Sequence, residues 1–263
     1  MKKLYIIKIG GNVIDNPIAL EQFLMELAKI DALKILVHGG GKLATELAKR
    51  LGVSQAMVNG RRITDSETLK ITTMVYAGLI NKQIVALLQS KQCNAIGLSG
   101  ADLNLISAKK REVLDIDYGF VGDVFTAGVN SKALSQFLDN RIVPVFSAIC
   151  HDGNGQLLNT NADTIASALA IALSGTYEVQ LNYFFEKKGV LENVADEDSV
   201  MKLITKTKYK QLVLDGTISK GMIPKMDNAF DAIQKGVRSV VIAHSDELKN
   251  CTTNEYIGTT LTA

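Results

Sequence analysis

The hydrophobic pattern of this chain alternates between short apolar runs, typical of buried strands, and stretches with apolar residues three or four apart, typical of helices. The runs predict strands at Leu4–Ile9, Leu33–Val37, Ala95–Leu98, Ile142–Ile149, Val179–Phe185 and Ser239–Ala243. The helical spacing predicts helices at Ala19–Ile30, Leu43–Leu51, Ala162–Leu173, Ser199–Lys206 and Met222–Gln234. Repeated strand–helix units predict an α/β fold, a three-layer αβα sandwich whose mainly parallel central sheet is covered on both faces.

A longer helix is predicted after Thr64. The sequence Thr64-Asp65-Ser66-Glu67 has the form of a capping box, in which a hydroxyl and a carboxylate satisfy each other's free backbone N–H groups. The helix can extend to Gln89, with Gly78 as the position where it could break. Further along, the strand–helix pattern restarts after Ser174-Gly175-Thr176, which is the best candidate for a boundary. The chain is therefore expected to form two lobes, residues 1–175 and residues 176–263.

Composition and charge describe an ordinary globular protein. The 263 residues are 47% hydrophobic and 21% charged, which excludes disorder, and 29 Lys+Arg against 27 Asp+Glu leave a formal charge of +2. This balance gives no sign of a nucleic-acid or membrane-surface partner, and no apolar run approaches the ~18 residues of a membrane span. The three cysteines, Cys93, Cys150 and Cys251, are too far apart in sequence for a CxxC site or a disulfide framework. A reducing cytoplasm is therefore the expected location.

Three predicted strands end in glycine, at the carboxyl ends where ligands bind in parallel α/β sheets. The segments are Lys8-Ile9-Gly10-Gly11-Asn12, His38-Gly39-Gly40-Gly41 and Gly97-Leu98-Ser99-Gly100. Glycine lets backbone N–H groups approach an anion closely, although one glycine-rich turn by itself can simply end a strand. Three such turns together favour an anionic ligand.

Known catalytic and nucleotide motifs fit this sequence poorly. Gly41-Lys42 is followed by Leu43, so the Walker A pattern is absent. The segment from Gly39 to Ala44 satisfies GxGxxA, but no clear strand ending in an acidic residue follows about 20 residues later, which leaves a nicotinamide-dependent dehydrogenase a weak alternative. Neither HExxH nor GxSxG occurs, so a tightly bound catalytic metal and a Ser-His hydrolase are both disfavoured.

Two lysines and one aspartate stand in unusual places. Lys8 interrupts an apolar strand, and a lysine is almost never fully buried without an anion or a carboxylate partner. Lys225 is predicted at the start of a helix, where a positive charge opposes the helix dipole unless a bound phosphate offsets it. Asp163 lies in the first turn of another helix, a position that capping alone would also favour. Each lysine taken alone could equally be solvent-exposed or salt-bridged.

The motifs of this chain resemble, in order and over essentially the whole length, those of the amino acid kinase family. They are Lys8 to Asn12, Val37 to Gly41, Val58 to Asp65, Ala77 to Lys82, Gly97 to Gly100, Gly119 to Gly122, Asn159 to Asp163, Gly189 to Leu191, Gly221 to Lys225 and Ile257 to Thr259. Each pattern is weak alone, but ten in register are highly specific.

The resemblance implies an N-terminal lobe that binds an acylated amino acid and a C-terminal lobe that binds ATP. It implies ATP-dependent phosphorylation of the γ-carboxylate of N-acetyl-L-glutamate, the second step of arginine synthesis. Mg²⁺ would arrive with ATP, held mainly through the phosphates, and no tightly bound cofactor is implied. Relatives phosphorylate carbamate, aspartate, unblocked glutamate or a nucleoside monophosphate, and the stretch from Asn59 to Asp65 favours an acylated glutamate over these. A catalytically silent sensor of the same fold is disfavoured, because Lys8, Asp163 and Lys225 are all present.

Catalytic and substrate-binding roles also follow from the resemblance. Lys8 and Lys225 would contact the transferred phosphoryl group from the substrate side and the nucleotide side, and Asp163 would orient both lysines. Arg62 would bind the substrate α-carboxylate through its planar fork, and Asn159 would hydrogen-bond the substrate. Backbone N–H groups of Gly10, Gly11, Gly40 and Gly41 would face the transferred phosphate and the substrate. The other residues expected to bind the nucleotide are Glu186, Gly189, Gly221 and Met222.

Three positions depart from the family pattern. Phe185-Glu186-Lys187 stands where Thr-Asp-Val is usual, and Ser219-Lys220-Gly221 replaces Ser-Gly-Gly, so both departures concern nucleotide contacts. Arg61 stands where an apolar residue is more usual, beside the expected carboxylate site. A second cation there makes N-succinyl-L-glutamate an alternative substrate, although a solvent-exposed Arg61 is the more ordinary interpretation.

The resemblance bears on assembly as well. The resemblance implies that arginine-inhibited members of the family form hexamers, joined by an extra helix before the first strand. Here the first strand is predicted to begin at about Lys3 or Leu4. We therefore expect a homodimer that is insensitive to arginine, with an isologous contact formed by the long helix after Thr64. The larger side chains expected in that contact, which could instead pack on their own chain, are Leu69, Thr73, Tyr76 and Ile80.

Overall fold

The described part of the chain contains fourteen strands and nine α-helices. The structure is a computed structural model that describes residues 1–58, 61–193, 195–218, 222–253, 255 and 257–263. The strands are β1 Lys3–Ile9, β2 Leu33–His38, β3 Met57–Val58, β4 Arg61–Arg62, β5 Ala95–Leu98, β6 Ile106–Lys110, β7 Gly122–Val129, β8 Val143–Ser147, β9 Ile149–His151, β10 Leu157–Asn159, β11 Glu178–Phe185, β12 Leu203–Thr205, β13 Ser239–His244 and β14 Gly258–Thr262.

The α-helices account for most of the remaining chain. They are α1 Gly11–Ile14, α2 Pro17–Lys29, α3 Gly41–Arg50, α4 Ser66–Thr73, α5 Asn81–Ser90, α6 Ser131–Asp139, α7 Ala162–Leu173, α8 Lys206–Leu214 and α9 Ile223–Gln234. A π-helical segment, Met74–Ile80, joins α4 to α5, and short 3₁₀ helices lie at Asp102–Asn104 and Ser245–Asn250.

The main sheet has eight strands in the order β12-β14-β13-β11-β1-β2-β8-β5. All neighbouring pairs in it are parallel except β13 with β14. Successive residues of a strand point to opposite faces, and both Ile6 and Ile7 in β1 are fully buried, so helices cover both faces. Helix α7 packs on β1, β2 and β11 and contacts α6 and α9, whereas α2 contacts α5. The predicted α/β sandwich with a mainly parallel sheet is confirmed.

The candidate boundary at residues 174–176 lies in the turn between α7 and β11. The main sheet continues across this turn, because β11 pairs along its length with β1. Residues of the two predicted lobes therefore share one hydrogen-bonded sheet and one hydrophobic core. The carboxyl ends of β1 and β11 consequently lie side by side.

A second sheet, in the order β10-β9-β6-β7, was not anticipated. The predicted strand Ile142–Ile149 divides, so that β8 joins the main sheet and β9 joins this smaller one. Isolated bridges connect Thr64 with Gly119 and Val121 with Asn159. The smaller sheet itself carries Asn159, the last residue of β10, and the Thr64–Gly119 bridge brings the segment that follows Arg62 beside it.

The predicted helix Ser199–Lys206 is wrong. Leu203–Thr205 is instead the edge strand β12, which pairs with β14. Ile204 is fully buried by this pairing, whereas the Thr205 hydroxyl caps α8 by accepting a hydrogen bond from the Lys208 N–H at 3.3 Å. Because the three-residue strand is followed directly by the start of a helix, the sequence is too short there to show the hydrophobic periodicity of either element.

The long helix after Thr64 forms, but its start differs from the expected one. Asp65 is the N-cap, and its carboxylate accepts a hydrogen bond from the Thr68 N–H at 2.7 Å. This bond holds the pKa of Asp65 below its usual value. The helical stretch continues to Ser90 without a break at Gly78, since Gly78 lies inside the π-helical segment.

The same helix faces the core of its own chain. Within its 25 residues, Ser66–Ser90, an 18-residue window has a mean hydropathy of 1.4, so the helix is long and apolar enough for a membrane span by length and composition alone, but 44% of that window is buried within this chain. Leu69, Tyr76 and Ile80, expected at a contact with a second copy, are buried within this chain at 8%, 6% and 2% exposure. The assignment of these three side chains is therefore wrong, because they already pack on their own chain, whereas Thr73 is half-buried and its part in such a contact stays a prediction. The exposed apolar residues of the helix are Met74 and Leu79.

Leu103 adopts a backbone conformation that L-residues disfavour, with φ 50° and ψ 24°. Its side chain is 66% exposed, so little burial compensates the strain. We expect Leu103→Gly to stabilise the protein by about 0.5–1 kcal/mol. A left-handed L-residue costs about 1–2 kcal/mol, which the substitution removes, but glycine also makes the unfolded chain more flexible and this offsets part of the stabilisation. Urea unfolding followed by circular dichroism measures the change. Leu114→Gly is the matched control, since Leu114 is also exposed and has a negative φ; equal effects of the two substitutions would contradict the strain.

Candidate active site

An ion pair at the carboxyl end of β1 joins two of the expected catalytic residues. Lys8 Nζ lies 2.7 Å from Asp163 Oδ1, with the two side chains only 17% and 23% exposed. The first turn of α7 presents Asp163, because the Asn161 side chain caps that helix and accepts from the N–H groups of Asp163 and Thr164. The lysine that interrupts an apolar strand is thus paired with a carboxylate, as its partial burial requires.

Lys225 reaches the same cleft from the other half of the chain. It lies in the first turn of α9, and its Nζ is 5.1 Å from the centroid of the Phe185 ring at the end of β11. Lys8 and Lys225 both line this cleft, together with Phe185 and Met222. The side-by-side ends of β1 and β11 therefore bring together two cations that are more than 200 positions apart in sequence.

Most of the expected phosphate and nucleotide residues line this cleft. Those that do, besides Met222, are Gly10, Gly11, Glu186 and Gly189, whereas Gly221 lies outside the described residues. The Gly10 N–H, however, already donates to the Phe184 carbonyl oxygen at 2.8 Å, so it is not free for an anion as we expected. Gly10 instead allows the strand ends to pack closely, since a Cβ there would lie 3.1 Å from Phe185 Cβ, a tight contact.

Gly189 and Glu186 differ in how they border the cleft. A Cβ on Gly189 would lie 2.7 Å from Thr259 Oγ1, so the glycine allows β14 to approach closely. The Thr259 hydroxyl then accepts a hydrogen bond from the Val190 N–H at 2.8 Å. Glu186 is exposed at the rim, so the charge that replaces the usual aspartate of the family remains available to a ligand.

Arg62 is a buried cation surrounded by neutral groups. Arg62 is only 8% exposed. Its Nη2 donates to the Gly41 carbonyl oxygen and to Thr45 Oγ1, both at 2.8 Å. Its Nη1 donates to the Gln55 side chain. No carboxylate pairs with Arg62 in the described ranges of the chain. Because an unpaired buried charge is costly, an anionic ligand beside Gly41 would complete this site.

Thr64 links Arg62 to Asn159. The Thr64 hydroxyl donates to the Arg62 carbonyl oxygen at 3.3 Å and accepts from Asn159 Nδ2 at 3.0 Å. Both Thr64 and Asn159 are buried, at 0% and 8% exposure. The structure therefore joins Gly41, Arg62 and Asn159 through a chain of hydrogen bonds that passes through Thr64, with Gly40 adjacent to Gly41 in the same turn.

Arg61 does not share this site. It is exposed, whereas Arg62 beside it on β4 is buried, as expected from the alternation of side chains along a strand. The cation that raised the possibility of a larger anionic acyl group is thus directed away from the face that carries Arg62. Lys220, the other unusual cation, lies outside the described residues.

Four uncharged polar residues that were not expected from the sequence also line the clefts, and they are Asn12, Tyr183, Thr217 and Asn228. Tyr183 pairs in register with Lys8, and its hydroxyl donates to the Asp163 carbonyl oxygen at 3.4 Å. Burial raises the pKa of the Tyr183 phenol, so it remains protonated. Asn12 belongs to a glycine-rich motif and could have been found from it, whereas Thr217 carries no signal in the sequence.

The site and fold agree with the similarity of the chain to known proteins. Residues 3–244 match the model of the Amino acid kinase family. The chain therefore belongs to the amino acid kinase family. Its curated relatives include the acetylglutamate kinase of Cytophaga hutchinsonii, 56% identical over 100% of both chains, and that of Phocaeicola vulgatus, 52% identical over 99% of this chain and 98% of the relative.

Solved structures give the same fold. The crystal structure of smu.665 from Streptococcus mutans superimposes with a TM-score of 0.75 at 28% identity, over 100% of both chains. The kinase assignment made from the sequence motifs is thus confirmed by full-length similarity to acetylglutamate kinases.

Proposed function

We propose that this chain transfers the γ-phosphoryl group of ATP to the γ-carboxylate of N-acetyl-L-glutamate, which yields ADP and an acyl phosphate in the second step of arginine synthesis. The observation that carries this proposal is the meeting of Lys8 and Lys225 on one cleft. The full-length identity of 56% to an acetylglutamate kinase supports the choice of substrate.

The reaction brings a carboxylate nucleophile to a triphosphate, so charge repulsion is the main obstacle. A carboxylate has no proton to remove, and no general base is needed; catalysis is positioning plus stabilisation of charge. We assign Lys8 to the transferred phosphoryl group and Lys225 to the leaving oxygen of the nucleotide. Asp163 orients Lys8 through the 2.7 Å ion pair. The fork of Arg62 binds the substrate α-carboxylate, and Asn159 hydrogen-bonds the substrate.

Mg²⁺ enters this proposal as part of the substrate MgATP. The described residues assemble no group of three or more His, Cys, Asp or Glu side chains suited to a metal ion. We assign its coordination mainly to the phosphates of ATP, as is usual for Mg²⁺ in kinases.

The two lobes divide these tasks. We assign the acyl amino acid to residues 1–175, which carry Arg62 and Asn159, and the nucleotide to residues 176–263, which carry Glu186 and Lys225. Lys8 lies on the strand of the first lobe that pairs directly with β11 of the second. The phosphoryl group would therefore be transferred where the carboxyl ends of β1 and β11 lie side by side.

The acyl group is tested by comparing kcat/KM for N-acetyl-, N-succinyl- and unblocked L-glutamate. We expect the acetylated substrate to be preferred, because Arg61 points away from the site that an extra carboxylate would need. Hydroxylamine trapping of the acyl phosphate detects the product and distinguishes a kinase from a silent sensor. An equal or greater kcat/KM with N-succinyl-L-glutamate would identify that compound as the substrate. The absence of product with any acylglutamate would overturn the proposal.

Replacing Arg62 by lysine should raise KM for the acylated amino acid at least about tenfold, with a smaller effect on kcat, because a lysine cannot form the bidentate contact with a carboxylate. Steady-state kinetics with each substrate varied in turn measures the change. Arg61→Lys is the matched control on the neighbouring position, and it should leave KM unchanged. An unchanged KM for Arg62→Lys would move the carboxylate site elsewhere.

We further propose a cytoplasmic homodimer that is insensitive to arginine and has no nucleic-acid or membrane partner. The cysteines Cys93, Cys150 and Cys251 are free and buried, as suits a reducing compartment. Met74 and Leu79, the exposed apolar residues of the long helix, replace Leu69, Tyr76 and Ile80 as the proposed contact with the second copy. Sedimentation of the full chain, with and without millimolar arginine, tests the assembly.

A further inference from the structure

Two buried polar side chains lie beside the substrate site without belonging to it. His38 ends β2 and Asn81 begins α5, and their exposures are 0% and 1%. His38 Nδ1 lies 2.9 Å from the Gly39 carbonyl oxygen, and His38 Nε2 lies 3.1 Å from Asn81 Nδ2. Asn81 Nδ2 also donates to the Val145 carbonyl oxygen in β8, at 2.9 Å.

These contacts permit only one arrangement of protons. The Gly39 carbonyl can only accept, so Nδ1 of His38 carries the hydrogen, and Nε2 accepts from the Asn81 amide. The amide itself is oriented by its neighbours, since the Lys82 ammonium donates to Asn81 Oδ1 at 3.2 Å. Burial lowers the pKa of His38 to about 4, so the ring is neutral at physiological pH.

The turn that follows His38 is held from its other side by the π-helical segment. Gly40 has φ 152°, and a Cβ there would lie 2.2 Å from Ile80 Cδ1 and 3.0 Å from Tyr76 Cδ1. The segment Met74–Ile80 thus packs directly on the Gly40 backbone, and the next residue is Asn81. π-Helical turns occur frequently at functional sites.

The carboxyl end of the turn is in contact with the substrate site. The Gly41 carbonyl oxygen accepts from Arg62 Nη2 at 2.8 Å and from Thr45 Oγ1 at 2.9 Å. A shift of the Gly39–Gly41 backbone would therefore move an acceptor that orients the Arg62 guanidinium. His38 and Asn81 hold this backbone at its amino end, where no other side chain among the described residues bonds the Gly39 carbonyl.

We propose that His38 and Asn81 are positioning residues for the acyl amino acid: they hold the Gly39–Gly41 backbone against the carboxyl end of the sheet and thereby set the orientation of Arg62. Neither side chain touches the substrate in this proposal, which rests on the proposed function of the same site. Their removal should weaken acyl amino acid binding and leave the nucleotide side unaffected, because Lys225 and Met222 lie on other elements.

The test compares Asn81→Ala with a matched control, Asn182→Ala. Asn182 is also fully buried in the main sheet, where its Nδ2 donates to the carbonyl oxygens of Ile6 and Gln180, at 3.4 and 3.2 Å, away from the glycine turn. Asn81→Ala should raise KM for N-acetyl-L-glutamate at least about tenfold and change KM for MgATP by less than about twofold. Asn182→Ala should lower Tm without this separation of the two KM values.

A conservative variant and a second measurement cover the case in which Asn81→Ala does not fold. His38→Gln keeps one donor and one acceptor but places them on a more flexible side chain, so it should hold the glycine turn less firmly than histidine does and raise the acyl amino acid KM by less than Asn81→Ala does. Hydrogen–deuterium exchange should be faster in the peptide containing Gly39–Gly41 of His38→Gln and unchanged there in Asn182→Ala.

The outcomes separate this inference from the proposed function. A folded Asn81→Ala with an unchanged acyl amino acid KM, or with both KM values raised equally, would overturn the positioning role. Unchanged exchange of the Gly39–Gly41 peptide in His38→Gln would overturn it as well. Failure of the proposed function has a different signature, since the wild-type protein itself would then form no acyl phosphate, and the exchange measurement would still decide whether His38 holds the turn.

Discussion

Lys8→Ala is expected to lower kcat about 100- to 1000-fold, the usual effect of removing one group that stabilises transition-state charge. Lys8 is only partly exposed and lies on the cleft shared with Lys225, so its ammonium acts where solvent screens charge weakly. Each 1.4 kcal/mol of lost stabilisation is a factor of ten in rate. Hydroxylamine trapping under saturating substrates measures kcat, and a thermal unfolding curve checks that the variant is folded.

The control for this prediction is Lys235→Ala. Lys235 also forms an ion pair at 2.7 Å, with Asp231, but on an exposed helix surface outside the cleft, where such pairs contribute little. It should therefore leave kcat unchanged. A folded Lys8→Ala protein that retained more than about a tenth of the wild-type kcat would contradict the assigned role of Lys8.

Lys225→Ala should lower kcat by a similar factor, about 100- to 1000-fold, and leave Tm unchanged or slightly higher. The charge lies in the first turn of α9, where it opposes the helix dipole, so its removal relieves an unfavourable interaction in the free protein. A loss of activity without a loss of stability is the signature of a group placed for function. The measurements are kcat by product trapping and Tm by calorimetry.

Lys206→Ala is the matched control for Lys225→Ala. Lys206 also begins a helix, α8, and its Nζ also lies near an aromatic ring, 5.7 Å from the centroid of Phe230. It does not line the cleft, so kcat should be unaffected by its removal. If Lys225→Ala kept a kcat within about tenfold of the wild-type value, another group would have to stabilise the leaving oxygen.

The group of Lys8, Asp163 and Lys225, to which we assign catalysis, could be predicted because its signals are local. A lysine inside an apolar strand, an aspartate in the first turn of a helix and a lysine at another helix start are each visible in the sequence. The rule that ligands bind at the carboxyl ends of parallel strands then brings them to one edge of the sheet. The structure has Lys8 paired with Asp163 and has Lys8 and Lys225 on one cleft.

Contacts between distant segments could not be predicted in the same way. The N–H of Gly10 is occupied by the Phe184 carbonyl because β1 and β11 pair in one particular register. Leu69, Tyr76 and Ile80 face their own core because the long helix packs with that side inward. An amphipathic stripe does not state whether its partner is the same chain or a second copy.

By itself the sequence determined the α/β class, most strand and helix positions of the main sheet, and the family to which the chain belongs, because hydrophobic period and glycine-rich motifs are properties of short segments. Only the tertiary structure decided that Asn159, at the end of β10 in the smaller sheet, bonds Thr64, that Arg62 is a buried cation with neutral neighbours, and that His38 and Asn81 hold the glycine turn. These features depend on contacts between residues tens of positions apart. Such contacts exist only after the sheet has set the register and the helices have packed on it, so no local pattern can encode them.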